Sequence, residues 1–176
     1  MAEFKKINYE IKHVFDQKNC RHFLNGRVSV LHCHHFMTLY TQLAKDSGKT
    51  DVLKNVAEET FYEVLNNYFI ENNINDIEDK IELACQYYSA IGLGNILIAS
   101  LGDDSGEVEA LRSHVDEGWI KKWGNHDSEV NYVTCGYISA AFSAINNLKI
   151  GVYETIEKES IVKGAKTSKF KVYKKA

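Results

Sequence analysis

The sequence predicts an α+β domain of about five helices packed on a small antiparallel sheet and ending in a C-terminal β-hairpin. Three observations lead there. Apolar residues recur at three- and four-residue spacing through most of 29–145, the period of a helix with one buried face. Residues 150–174 instead alternate apolar and polar and are rich in β-branched side chains, the period of a half-buried strand. No Gly-x-Gly-x-x-Gly, P-loop or Gly-x-Ser-x-Gly elbow occurs, so the doubly wound folds lack their usual turns. Helices first and paired strands last favour α+β.

Each element has its own signal. Residues 4–15 (Phe4, Ile7, Tyr9, Ile11, Val14) alternate loosely and fit a strand or a short helix, within an N-terminal segment 1–28. A helix is expected from Ser29 to Ala44, stopped at Gly48. Asp51 is expected to cap a second helix that carries Val52, Leu53, Val56, Phe61, Val64, Leu65 and Tyr68. Asp76 caps a third, with Ile77, Ile81, Cys85 and Tyr88 on its inner stripe. The run LGNILIASL, bounded by Gly94 and Gly102, suits a buried strand. DDSGEVEALRSHVDEGW reads as a fourth helix through Val108, Leu111 and Val115, ending at Gly118. YVTCGYISAAFSAINNL is a fifth, and the hairpin then folds back across GAKTS.

With 176 residues the chain is expected to form one domain, 1–176. Its 44% hydrophobic and 26% charged residues match soluble globular proteins. No apolar stretch reaches membrane-span length, and the N-terminus lacks an apolar signal region. No membrane association and a cytoplasmic location are therefore expected. Cys20, Cys33, Cys85 and Cys135 lie far apart and read as free thiols. At net charge −3, the lysines of the C-terminal KGAKTSKFKVYKKA are offset elsewhere, so no nucleic-acid partner is expected.

The densest chemical feature is LHCHHF, residues 31–36. On a helix turning about 100° per residue from Leu31, His32 falls at the centre of the face made by Phe36, Leu39 and Leu43. His35 flanks that face and His34 points away. Two inward histidines three apart can supply two ligands to one ion, with a third from elsewhere. His114 is a candidate for that third ligand. Trp119 and Trp123, four apart, read as a packed aromatic pair or as a pocket wall.

Three stretches carry a family resemblance: SGEVEALRSHV at 105–115, CGYISAAFSAINNLKIGVYETIEKESIVKG at 135–164, and SKFKV at 168–172. They resemble the 4-vinyl reductase domain, a ligand-binding module similar in fold to the transport-particle (TRAPP) subunits. Upstream, GRVSVLHCHHFMTLYTQLAKDSG resembles the first helix of sensory regions that activate transcription in response to aromatic compounds. The resemblance implies that this helix and the one around 106–118 line a pocket for a small apolar or aromatic molecule. In zinc-binding members it also implies a site built from a cysteine before the Gly-Tyr pair, a strand glutamate and two late cysteines. Cys135 and Glu157 occupy two of those places, but Ser160 and Ser168 stand where the late cysteines would be. A serine hydroxyl stays protonated and binds zinc poorly, so this structural zinc site is expected to be absent.

The leading expectation is a stand-alone binding domain for a small apolar or aromatic molecule. Its ligand-binding residues are His32, His35, Phe36, His114, Trp119 and Trp123. A transition metal (zinc or iron), haem or another tetrapyrrole would be held by His32, His35 and His114. The alternative is a metal-dependent hydrolase or reductase using the His32/His35 site, or Cys33 as nucleophile. A homodimer is also expected, with the small-residue helix 135–145 as its interface or as a tight internal contact.

Overall fold

The computed structural model describes residues 7–30 and 32–175. Phe4 and Leu31, used in the sequence reading, lie outside them. In chain order the elements are β1 (His13–Asp16), β2 (Arg21–Leu24), β3 (Arg27–Ser29), α1 (His34–Asp46), α2 (Thr50–Glu71) and α3 (Ile77–Ala90). There follow β4 (Gly94–Leu101), β5 (Ser105–Ser113), α4 (His114–Trp123), α5 (Tyr132–Ile145), β6 (Tyr153–Glu159) and β7 (Ser168–Lys174). The α+β class, the five α-helices and the C-terminal β6–β7 hairpin are as the sequence predicts.

Helix α5 is hydrophobic on all sides, and every residue from Thr134 to Ile145 is buried. Such a helix belongs in a core rather than on a surface. The antiparallel sheet β4-β5-β7-β6 covers one side of it and α2 the other. Gly136 sets the α2–α5 separation. A Cβ there would collide with the Lys54 carbonyl oxygen and come within 2.8 Å of the Ala57 Cβ. The small residues of 135–145 therefore serve an internal helix contact and offer no surface for a second copy. The tyrosine hydroxyls in this core are paired: Tyr137 Oη donates to the Ala84 carbonyl at 2.6 Å, and Tyr88 Oη bonds Thr134 Oγ1 at 2.9 Å.

The structure revises four sequence expectations. Residues 105–113 are strand β5, the second strand of the sheet, and the fourth helix starts at His114 instead of ending at Gly118. Gly106, Val108 and Ala110 are buried in alternation while Leu111 is exposed. The helical spacing of Val108, Leu111 and Val115 masked this period-two pattern, which burial between β4 and β7 enforces. Second, β4 is an edge strand with only Ile96 buried. Third, β1, β2 and β3 form a separate antiparallel sheet where one strand or helix was expected, and this delays α1 to His34. Fourth, Asp51 lies inside the first turn of α2 and the capping position is Lys49. Asp76 does cap α3, its carboxylate accepting from the Asp79 N–H.

Among the described residues, no helix is long and apolar enough to cross a membrane. Two surface clefts among the described residues have polar linings that include neither the histidines of 32–35 nor His114. One, of about 300 Å³, is lined by Lys54, Glu58, Cys135 and Thr155. The other, of about 510 Å³, is lined by Lys12, Asn25, Tyr68 and Glu71.

Candidate functional site

Helix α4 organises the site. Its cap is Ser113, whose hydroxyl accepts from the Asp116 N–H at 3.1 Å. Its glycine, Gly118, lets α1 approach closely. A Cβ at that position would lie 2.9 Å from both His34 Cβ and Thr38 Cγ2. So close a crossing has room only for small side chains. Thr38 and Thr41 are the buried residues of α1, while Phe36, Leu39, Tyr40 and Leu43 are exposed.

This reverses the helical-wheel assignment. The wheel places the largest apolar residues inward, but the α1–α4 crossing buries the threonines and turns that stripe outward. His34, expected outside, faces α4. Its ring meets His114 edge-on at 5.8 Å, and its Nε2 is buried with no hydrogen-bond partner among the described residues. His35 is exposed, its ring 4.6 Å from that of His34. His32 is exposed, edge-on to Phe36 and Tyr40. His32, His35 and His114 do not converge. Among the described residues no group of three or more His, Cys, Asp or Glu side chains is placed to hold a metal ion.

Burial, followed by the neighbouring His34, pushes the His114 imidazole below its ordinary pKa. Near neutral pH His114 is thus a neutral ring, able to donate from one nitrogen and accept at the other. Trp119 is buried, with Val115, Val130 and Val162 around it. It stacks on His126 at 5.1 Å, with Lys45 Nζ 5.3 Å from its centroid. Lys45 in turn donates to His126 Nε2 and Ser128 Oγ. Trp119 is thus a packing residue tying α1 to the loop after α4. Trp123 is exposed beside Lys122.

A buried polar centre joins Glu157, Ser160 and Ser168, named from the family resemblance, to Ser113, Asp116 and Asn131, which the sequence did not single out. Asn131, the capping residue of α5, donates from Nδ2 to Asp116 Oδ2 and to Glu157 Oε1, each at 2.8 Å. Its Oδ1 accepts from Ser113 Oγ at 2.7 Å. Ser168 Oγ donates to Asp116 Oδ2 at 3.2 Å and accepts from the Ile161 N–H. Burial, opposed by the Asn131 hydrogen bond, pushes Glu157 up to about 7. Asp116 is raised for the same reason, and burial likewise raises the Cys135 thiol. Asp116 Oδ1, Glu157 Oε2 and Ser160 Oγ are buried without hydrogen-bond partners among the described residues. The Ser-x-x-Asp spacing of 113–116 is a helix-cap signal that could have found part of this centre. Nothing in sequence marks Asn131 as its hub.

No protein-family model matches the chain, and no curated protein matches it. Solved structures do share its fold. The phenol-responsive sensory domain of the transcription activator PoxR, in a crystal structure with phenol, superposes with a TM-score of 0.76 at 12% identity. That match covers 92% of this chain and 84% of the other. A vinyl-4-reductase family protein from Methanocaldococcus jannaschii gives 0.57 at 13% identity, covering 84% and 85%. A trafficking protein particle complex subunit 3 from Naegleria fowleri, covalently bound to palmitic acid, gives 0.53 at 12% identity, covering 81% and 95%. The chain therefore has the fold of the TRAPP and vinyl-4-reductase proteins, as its sequence resemblance implies.

Proposed function

We propose that this domain binds a small, largely apolar molecule carrying one hydrogen-bonding group, which is received beside His34 and His114 when the first turn of α1 moves off α4. The observation that carries the reading is the unpartnered, buried Nε2 of His34 facing the neutral His114 ring. A buried polar atom without a partner costs about 1–3 kcal/mol. A ligand hydroxyl bonded to it would recover that cost. The likeness to a phenol-responsive sensory domain supports a small aromatic alcohol as ligand class. Helix α1 starts without a capping side chain and without an acidic residue in its first turn. Its first turn is the weakest part of the crossing and the natural entry point.

A metal held by His32, His35 and His114 together gains no support, since His32 and His35 are exposed and no three such side chains come together among the described residues. The metal-dependent enzyme reading, which rests on the His32/His35 site, lacks a third ligand among the described residues. We place the expected homodimer on the outward stripe of α1. Phe36, Leu39, Tyr40 and Leu43 are exposed there, and no Asp, Glu, Lys or Arg occurs from His34 to Ala44. A second copy offers the same uncharged, apolar stripe, so an isologous pairing needs no opposite charge.

Isothermal titration of the purified protein with phenol tests the ligand reading. Saturable one-to-one binding is expected, weakened about tenfold by His34→Ala or His114→Ala, as loss of one hydrogen bond implies. Binding unaffected by both variants would overturn the site.

A further inference from the structure

We propose that the side-chain amide of Asn131 takes the place of a metal ion as the cross-link joining α4, α5, β6 and β7. The zinc site implied by the family resemblance draws its ligands from positions 135, 157, 160 and 168. The side chains at 131, 157 and 168 do converge here, with Ser160 buried beside them. Their chemistry does not suit zinc, because hydroxyls stand where two thiolates are needed.

The amide nitrogen lies among these groups instead, 2.8 Å from Glu157 Oε1, 2.8 Å from Asp116 Oδ2 and 3.5 Å from Ser168 Oγ. It has two hydrogens, and each is directed to a carboxylate on a different element. The amide oxygen engages a third group, the Ser113 hydroxyl at the cap of α4. Ser168 then ties β7 to Asp116 and to the backbone of Ile161. Ser113, Asp116, Asn131 and Ser168 are wholly buried, and Glu157 is 8% exposed. Inside a protein such bonds are strong and their loss is costly. One neutral side chain thus joins the start of α5 to α4 and to the C-terminal hairpin, with no ion to be chelated and no thiolate to be oxidised.

The test uses the full-length protein. Metal content is measured by mass spectrometry, and thermal melting is followed with and without EDTA and added zinc, on wild type and Asn131→Ala. Substoichiometric metal is expected, with no shift on chelation. Asn131→Ala should lower the melting temperature by about 5–10 °C, as loss of two to three buried hydrogen bonds implies. Stoichiometric bound zinc or another cation, or melting that falls with EDTA, would overturn the proposal, as would an Asn131→Ala protein that melts with wild type. Should Asn131→Ala fail to fold, Ser168→Ala replaces it, since it removes only an outer hydroxyl. That protein must melt below wild type and stay insensitive to EDTA. Wild-type melting or an EDTA response in it counts against the proposal.

Discussion

Replacing Glu157 with glutamine is expected to remove a pH dependence of folding stability. Glu157 is 8% exposed, and burial raises its carboxyl from the ordinary 4.5 to about 7. The folded protein therefore holds a proton there that the unfolded chain has released. By linkage, the stability tied to that proton is fully present below pH 4.5 and is lost as pH rises through about 7. At about 1.4 kcal/mol per pKa unit, the loss is about 3 kcal/mol. For a chain of this size that corresponds to roughly 6–12 °C in melting temperature. Glutamine mimics the protonated acid: its oxygen still accepts from Asn131 and its amide can donate toward Ser160. Thermal melts of wild type and Glu157→Gln from pH 4.5 to 8 measure the difference. Wild type should lose ground to the variant by about 3 kcal/mol across that range. Equal slopes in the two proteins, or wild type gaining on the variant as pH rises, would refute the reasoning.

Other perturbations read other parts of the structure. Gly136→Ala drives a methyl into the Lys54 carbonyl and should destabilise by more than about 2 kcal/mol in a denaturant melt. Introduced into the monomeric Phe36→Asp background, Leu39→Ser with Leu43→Ser should change stability by less than about 1 kcal/mol, because both side chains face solvent in the single chain. A cost of several kcal/mol would restore the original helical-wheel phase. Ser113→Ala removes the α4 cap and a bond to Asn131 and should cost about 1–2 kcal/mol, read from the same melts. Light scattering should give twice the chain mass for wild type and the single-chain mass for Phe36→Asp with Leu43→Asp. A monomeric wild type would remove the α1 interface.

Sequence patterns revealed most of the fold, since burial faces generate them. The all-apolar α5 and the alternation of β6 and β7 each answer to one dominant environment. The stripe read on α3 is met only at Tyr88: Ile77 is exposed, Ile81 and Cys85 are half-buried, and Lys80, Leu83 and Ala84 are the other buried residues. Pattern failed where a neighbour dictated the packing. The α1 stripe points outward because Gly118, 84 positions after His34, sets a crossing too close for leucine or phenylalanine. Strand β5 is a strand because β4 and β7 flank it, while its own spacing also suits a helix. In the histidine cluster the wheel turned His32 inward, whereas the close crossing brings His34 against α4 and leaves His32 exposed. Asn131 was invisible because a buried amide gains meaning only from the carboxylates brought to it, and these lie 15 and 26 positions away in sequence.

The most direct measurement is calorimetric titration of small aromatic alcohols into wild type, His34→Ala and His32→Ala proteins under identical conditions. Saturable binding to wild type and His32→Ala, with about tenfold weaker binding to His34→Ala, is the predicted result. Binding that is lost with His32 and retained without His34, or no binding to any of the three, would contradict a ligand site where α1 crosses α4.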